Sequence, residues 1–206
     1  MSTKDLALVY IVDDEAAVAD SIALLLRSVG IASRIYADAR SFLDAYQADM
    51  RGCLVLDVRM PRMSGLELQQ ELLRRRCTLP LIFITGHGDV AMAVEAMRAG
   101  ARDFLQKPFN DDELIRRVQQ ALDLDAAESE AARKQEQIRE RWNTLTERER
   151  EIARRIGEGH ANKVVALDLG ISERTVELHR AHILQKLDVR GLAPLVQLLM
   201  SVKDHT

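Results

Sequence analysis

Five times within the first 120 residues a short apolar run of strand length is followed by an amphipathic stretch of helical period. No other feature restricts the fold as much. The strand-like runs are Leu8 to Val12, Ser33 to Tyr36, Cys53 to Leu56, Leu81 to Thr85 and Asp103 to Gln106. The helical stretches between and after them are Ala16 to Ser28, Ala39 to Ala48, Leu66 to Arg76, Val90 to Arg98 and Asp111 onward. Helices between strands require crossover connections, so the expected fold is α/β, a doubly wound five-stranded parallel sheet with helices on both faces. Ligands of such sheets bind outside the carboxyl ends of the strands, and the chemistry is sought there.

The second part of the chain follows a different pattern. From Asp111 to Trp142 there is neither Pro nor Gly, and Ala, Glu, Gln, Arg and Leu dominate, which predicts helix nearly throughout. Its beginning is amphipathic through Leu114, Val118 and Leu122, whereas the middle, around Asp125 to Glu136, offers little apolar surface and is expected to cross solvent as a connector. After Trp142 the strands vanish. Leu145 to Glu158, Asn162 to Asp168, Ser172 to Leu187 and Gly191 to Val202 read as four short helices. Thr146 followed by Glu149 is a capping box, Ser172 is a natural N-cap, and Gly170 sits in the tight turn before it. A unit of this size and turn is a helix-turn-helix domain. The expected division is residues 1–124, a helical linker over 125–142, and an all-α domain over 143–206.

Charge adds a weak indication. The chain carries −3 overall, but residues 1–125 carry −4, residues 126–140 carry −1 and residues 141–206 carry +2. An acidic front and a mildly basic back fit a sensor joined to a nucleic-acid binder. The two cysteines, Cys53 and Cys77, lie in no CxxC and near no histidine, as expected of free thiols in a reducing compartment. No apolar run is long enough to span a bilayer and the N-terminus lacks a secretory pattern, so a cytoplasmic location without membrane contact is expected.

Four strand ends carry polar groups. Asp13 and Asp14 close the first strand (IVDDE), Asp57 the third (LVLDVRMP) and Thr85 the fourth (LIFITG); Lys107 and Pro108 follow the fifth (DFLQKPF). In a parallel sheet these converge on one rim, where three carboxylates repel one another unless a cation sits among them. Hard oxygen donors suit Mg²⁺. Asp57, a lone acid ending an apolar strand, is the candidate nucleophile toward a phosphoryl group, with Asp13 and Asp14 as metal holders. A lysine ammonium and a hydroxyl neutralise and bond the transferred group. Singly, each residue is more simply a cap or a solvated side chain; together and in order they are a site. Gly86 and Gly88 form no phosphate-cradling loop of nucleotide-binding type, and His87 reads as a loop residue.

The set DD, D, T and K over roughly residues 5–125 resembles the receiver domain of two-component response regulators, a flavodoxin-like fold. The resemblance implies that Asp57 is phosphorylated by a sensor histidine kinase. It also implies that Mg²⁺ is held by Asp13, Asp14, Asp57 and the Arg59 backbone carbonyl, that Lys107 pairs with the phosphoryl group and that Thr85 reorients to bond it. The Lys107–Pro108 peptide would be cis. Phe104 occupies the aromatic switch position, where many receivers carry Tyr, so rotation without a hydroxyl must signal. ITGHGD after the fourth strand is wording typical of the NarL/FixJ family.

LTEREREI and NKVVALDLGISERTVELHRAHILQKL resemble the LuxR-type DNA-binding domain of that same family over about Leu145 to Val202. Leu145, Ile152, Ile156, Val165, Ala166, Leu169, Ile171, Val176, Ile183 and Leu187 are read as core. The recognition helix is Ser172 to Leu187, whose Glu173, Arg174, Glu177, Leu178 and Ala181 would enter the major groove. Lys163, Thr175, His179, Arg180 and Lys186 are placed for phosphates, which set register but not sequence.

The joint implication is a regulator rather than an enzyme, apart from slow hydrolysis of its own aspartyl-phosphate. Phosphorylation would drive homodimerisation, and the paired modules would bind double-stranded promoter DNA to regulate transcription, on the activating side, with RNA polymerase as a further partner. Two other readings stay open on the residues alone. The helical C-terminus could bind protein or RNA instead, or Asp57 could serve as the turnover nucleophile of a metal-dependent phosphatase.

Overall fold

The structure is a computed structural model and describes residues 7–86 and 90–203; His87 and Gly88 lie outside the described residues. The order of elements is β1 (Leu8–Val12), α1 (Ala16–Ser28), β2 (Ser33–Tyr36), α2 (Ala39–Ala45), β3 (Gly52–Asp57), α3 (Gly65–Arg74), β4 (Leu81–Thr85), α4 (Val90–Arg98), β5 (Asp103–Gln106), α5 (Asp111–Asn143), α6 (Glu147–Gly157), α7 (Asn162–Leu169), α8 (Glu173–Leu187) and α9 (Leu192–Lys203). The chain divides into two compact units between residues 129 and 130, within α5.

In the first unit five parallel strands lie in the order β2-β1-β3-β4-β5. The central strands read as unbroken apolar runs because both faces are covered: β3 and β4 are buried at every position. Alternate side chains feed two cores. Val9, Ile11, Val55 and Ile84 pack against Ile22 and Leu26 of α1 and Leu114 and Val118 of α5, while Leu54, Leu56 and Phe83 pack with Phe42 and Leu68 on the other face. The switch in winding falls between β1 and β3, and the carboxyl ends of both strands open onto the rim there.

Most predicted elements agree to within a residue or two. The largest difference is in α2, which stops at Ala45 rather than Ala48. Tyr46 turns extended (φ −65°, ψ 131°), bringing its ring 6.2 Å from that of Phe42. Ser64 and Glu67 form a capping box that starts α3, with the Ser64 N–H donating to Glu67 Oε2 at 2.8 Å.

In the second unit Thr146 and Glu149 close the expected capping box, and Ser172 accepts from the Thr175 N–H at 3.1 Å. Gly170 is the left-handed C-cap of α7 (φ 64°), a backbone position where a side chain costs strain. The core contains Leu145, Ile152, Ile156, Val165, Ala166, Val176, Ile183 and Leu187, with Leu169 and Ile171 at its margin, joined by Leu195, Leu198 and Leu199 of α9.

The expectation that α5 becomes solvated at Asp125 needs correction. Asp125 is 5% exposed, because Arg51 and the Gly52 N–H, at the start of β3, both bond its carboxylate. An acidic residue in a polar run reads as solvent-facing until its distant partner is known. Among the described residues no helix is long and apolar enough to cross a membrane.

Candidate functional site

The carboxyl ends of β1, β3, β4 and β5 bring the polar residues together. Asp13 follows β1 and is 3% exposed; Asp57 ends β3 at 7% and Thr85 ends β4 at 1%. Lys107 follows β5, its N–H donating to the Thr85 carbonyl at 2.7 Å, and the Lys107–Pro108 peptide is cis. The Lys107 ammonium reaches between the two buried acids, 2.8 Å from Asp57 Oδ1 and 3.0 Å from Asp13 Oδ2. Asp57 Oδ2 accepts from the Arg59 N–H at 2.7 Å, and Asp13 Oδ1 from the Glu15 N–H at 2.9 Å. Asp14 is exposed, and among the described residues no three acidic, histidine or cysteine side chains gather closely enough to hold a metal. Asp14 therefore stands apart from the other two acids.

These contacts set the protonation balance. Burial raises the Asp57 pKa above the ordinary carboxylate range; the Lys107 ammonium and the Arg59 N–H oppose the shift without cancelling it, and Asp13 adds to it. Burial alone would lower the Lys107 pKa, but hydrogen bonds and charge from Asp57 and Asp13 raise it on balance. Asp57 is thus held by one fixed cation and one N–H, with its carboxylate at the rim of the sheet.

Two contributors escaped the sequence reading. Gly65, the first residue of α3, lies under the site: its N–H donates to the Val58 carbonyl at 2.9 Å, and a Cβ there would overlap the Asp57 carbonyl oxygen. The Ser64-x-x-Glu67 signature that places it was present in the sequence. Glu15 sits 4.0 Å from the Lys107 ammonium, a proximity that only the turn after β1 creates. Phe104 lies half-buried on β5, its ring 6.5 Å from that of Phe83.

The donor chemistry at this rim fits a hard cation. The two buried groups there, the Asp13 and Asp57 carboxylates, are oxygen donors, and a single lysine offsets their charge.

On the second unit α8 presents Glu173, Arg174, Glu177, Leu178 and Ala181 to solvent, Leu178 at 59% exposure, while Val176, Ile183 and Leu187 face the core. Lys163 is exposed on α7. Thr175 shares a hydrogen bond with Ser172 at 2.7 Å, and His179 and Arg180 are half-buried. Lys186, expected at a phosphate, has its ammonium 2.7 Å from the buried Glu149 carboxylate. A basic residue on a helix reads as a free surface charge when its partner is 37 positions away.

Residues 9–119 match the family model described as response regulator receiver domain, and residues 143–199 match that of bacterial regulatory proteins, luxR family. The transcriptional regulatory protein FixJ of Rhizobium meliloti strain 1021 is 46% identical over 195 residues, covering 94% of this chain and 95% of that one. The response regulator protein TodT of Pseudomonas putida strain F1 is 39% identical over 198 residues, covering 96% and 87%. Among solved structures, the response regulator StyR superposes with a TM-score of 0.88 at 43% identity, covering 94% of this chain and 98% of that one. Two family models in this order, and relatives aligned over nearly the full length, make this chain a two-component response regulator of the NarL/FixJ family, a receiver domain followed by a LuxR-type DNA-binding domain.

Proposed function

We propose that Asp57 accepts a phosphoryl group from a sensor histidine kinase and that the modified protein pairs on promoter DNA to regulate transcription, with activation as the expected direction. The observation that carries this reading is the Lys107 ammonium held between Asp57 and Asp13 at the strand ends. An Asp57 carboxylate oxygen attacks phosphorus, the bond to the donor imidazole breaks, and the imidazole keeps the electron pair and takes a proton. Lys107 is already at the rim to offset charge on the phosphoryl oxygens, and Thr85, bound through its carbonyl to the Lys107 N–H, lies beside it. Mg²⁺, held by Asp13, Asp14, Asp57 and the Arg59 carbonyl, would supply further charge neutralisation and orient the phosphoryl oxygens. Turnover is confined to slow hydrolysis of the protein's own acyl phosphate.

Phosphorylation adds about −1.5 to −2 charges at this rim. Our reading is that Phe104 and Thr85 carry the change to the face formed by α4, β5 and the start of α5, where exposed Val94 and Met97 offer apolar surface for a second copy. Two DNA-binding units then engage half-sites about one helical turn apart, with Arg174, Glu177, Leu178 and Ala181 at the bases and Lys163, Thr175, His179 and Arg180 toward the phosphates. The location is the cytoplasm, where kinase and DNA are both reached, and RNA polymerase is the expected downstream partner.

Light scattering after size exclusion tests this, with and without Mg²⁺ plus beryllofluoride, on wild type and Asp57→Asn. A monomer-to-dimer shift in wild type alone is expected. Equal masses in all four samples would overturn dimerisation as the output, and duplex binding under the same conditions would then be measured for release of a masked DNA-binding surface.

A further inference from the structure

The receiver's hold on α5 ends in a polar clasp rather than in apolar packing. Leu114, Val118 and Ala121 are fully buried against the sheet and Leu122 partly so. One turn later Asp125 is enclosed, its side chain 7% exposed. Its carboxylate accepts from the Gly52 N–H at 2.9 Å and from Arg51 Nε and Nη2 at 3.1 and 2.9 Å. The same guanidinium donates through Nη2 to the Asp125 carbonyl at 2.8 Å and through Nη1 to the Ser129 hydroxyl. Arg51 itself is fixed from behind: its carbonyl accepts from the Leu8 N–H at 3.1 Å and from the Tyr10 hydroxyl at 3.3 Å. The arginine, one residue before β3, is therefore tied through its carbonyl to β1, and its guanidinium grips the helix.

Beyond the clasp nothing buries the helix. Residues 126–137 have no buried side chain, and their ion pairs, Glu130 with Arg133 and with Lys134, are surface contacts that stabilise little. The next apolar anchors are Ile138 and Trp142, in the core of the second unit. A solvated helical stretch of this length is marginal by itself, so its persistence depends on how firmly its two ends are held. The receiver-side end is the last residue of the first compact unit, Ser129, gripped by Arg51.

We propose that Arg51, Asp125 and Ser129 form a latch that keeps residues 123–137 helical when closed and lets them become a flexible tether when open. A partly buried ion pair suits such a device, because loss of the Arg51 fork strands the enclosed Asp125 charge, so that the latch is either complete or open. Its regulatory value rests on the proposed phosphorylation of Asp57: a closed latch passes the state of the receiver into the segment leading to the DNA-binding unit, and an open one uncouples them.

Hydrogen exchange on the full-length chain tests the latch without phosphorylation. In Asp125→Asn, amides of residues 123–137 should exchange at least about tenfold faster than in wild type, with protection across β1 and β3 unchanged. Ser129→Ala should give a smaller effect in the same residues. Equal exchange at 123–137 in wild type and Asp125→Asn would overturn the proposal. Should Asp125→Asn lose protection throughout the sheet, Arg51→Lys decides instead, since it keeps the charge but not the fork; unchanged exchange at 123–137 there would be equally fatal. In the signalling arm, duplex affinity is measured with and without beryllofluoride. The ratio should fall toward one in the open-latch variant while beryllofluoride still binds, and a ratio equal to that of wild type would remove the regulatory role. A wild type indifferent to beryllofluoride would fault the phosphorylation reading instead, leaving the exchange experiment to judge the latch.

Discussion

Lys107 and Asp57 stand 2.8 Å apart, the ammonium of one on the carboxylate of the other, although 50 positions separate them. The pair joins the ends of two strands with β4 between them, and Asp13 completes it from a third. Most of what can be tested about the receiver derives from this contact.

Removing the cation should slow the chemistry more than it perturbs the fold. Lys107→Ala is expected to reduce Asp57 labelling by acetyl phosphate by about 10²–10³-fold, the scale for loss of one preorganised charge-stabilising donor. Labelling is followed by mobility shift on phosphate-affinity gels, with circular dichroism confirming the fold. Labelling at the wild-type rate would dissociate Lys107 from the reaction.

Asp57 itself should cost the receiver stability. Its pKa is raised in the folded state, chiefly by burial, so the folded state holds the proton more tightly than the unfolded chain. The penalty is absent below the ordinary carboxylate range and appears as pH rises through the raised pKa. Asp57→Asn, which cannot ionise, should therefore melt higher than wild type at pH 7, and the gap should close toward pH 3. Calorimetry at the two pH values reads it directly; a variant that melts lower at pH 7 would contradict this balance.

Glu149 should show the opposite dependence in the second unit. Burial would raise its pKa, but the Lys186 ammonium and the Thr146 N–H and hydroxyl hold it lower on balance. A lowered carboxylate contributes stability above its unfolded pKa, and that stability is lost as pH falls through the folded value. Because Lys186 is 37% exposed, water screens the pair, and Glu149→Gln should cost only about 1 kcal/mol at pH 7. The cost should vanish below the folded pKa. Thermal melts of the full-length chain, followed by Trp142 fluorescence, separate this transition from that of the receiver.

The exposed residues of α7 and α8 are expected to fall into groups with different signatures on DNA. Lys163→Ala should weaken binding to all duplexes and lower the salt slope by about 0.9 per half-site. Glu177→Ala should leave the slope alone and relax preference at one base pair by about 1–3 kcal/mol. Lys186→Ala should leave the slope unchanged, because its ammonium lies on Glu149. Fluorescence anisotropy over a salt series distinguishes the three, and a slope change in Lys186→Ala would restore it to the phosphate contacts.

Gly65→Ala probes the packing beneath the site. The added methyl would press on the Asp57 carbonyl and against the Phe83 ring, so a loss of about 1–3 kcal/mol and slower labelling at Asp57 are expected together. Wild-type stability and labelling would show that α3 can shift to accommodate it.

The order of elements was legible in the sequence because local causes produce it. Side-chain period distinguishes strand from helix, Thr146 and Ser172 announce the helices they cap, and acids placed at strand ends must meet on one rim once the sheet is parallel. From those residues alone came the five strands, the long helix, the helix-turn-helix and a candidate site of Asp13, Asp14, Asp57, Thr85 and Lys107, of which the structure leaves Asp14 exposed. The tertiary structure decided what depends on partners far along the chain. Asp125 in a polar run reads as solvated and Lys186 on a helical surface as a free charge for a phosphate, since a charged side chain faces outward unless a distant group of opposite sign meets it. Arg51 and Glu149 are those groups, 74 and 37 positions away, and no local pattern encodes either pairing. The same holds for Gly65, whose need for a bare α-carbon comes from a strand end that only the folded sheet brings against it.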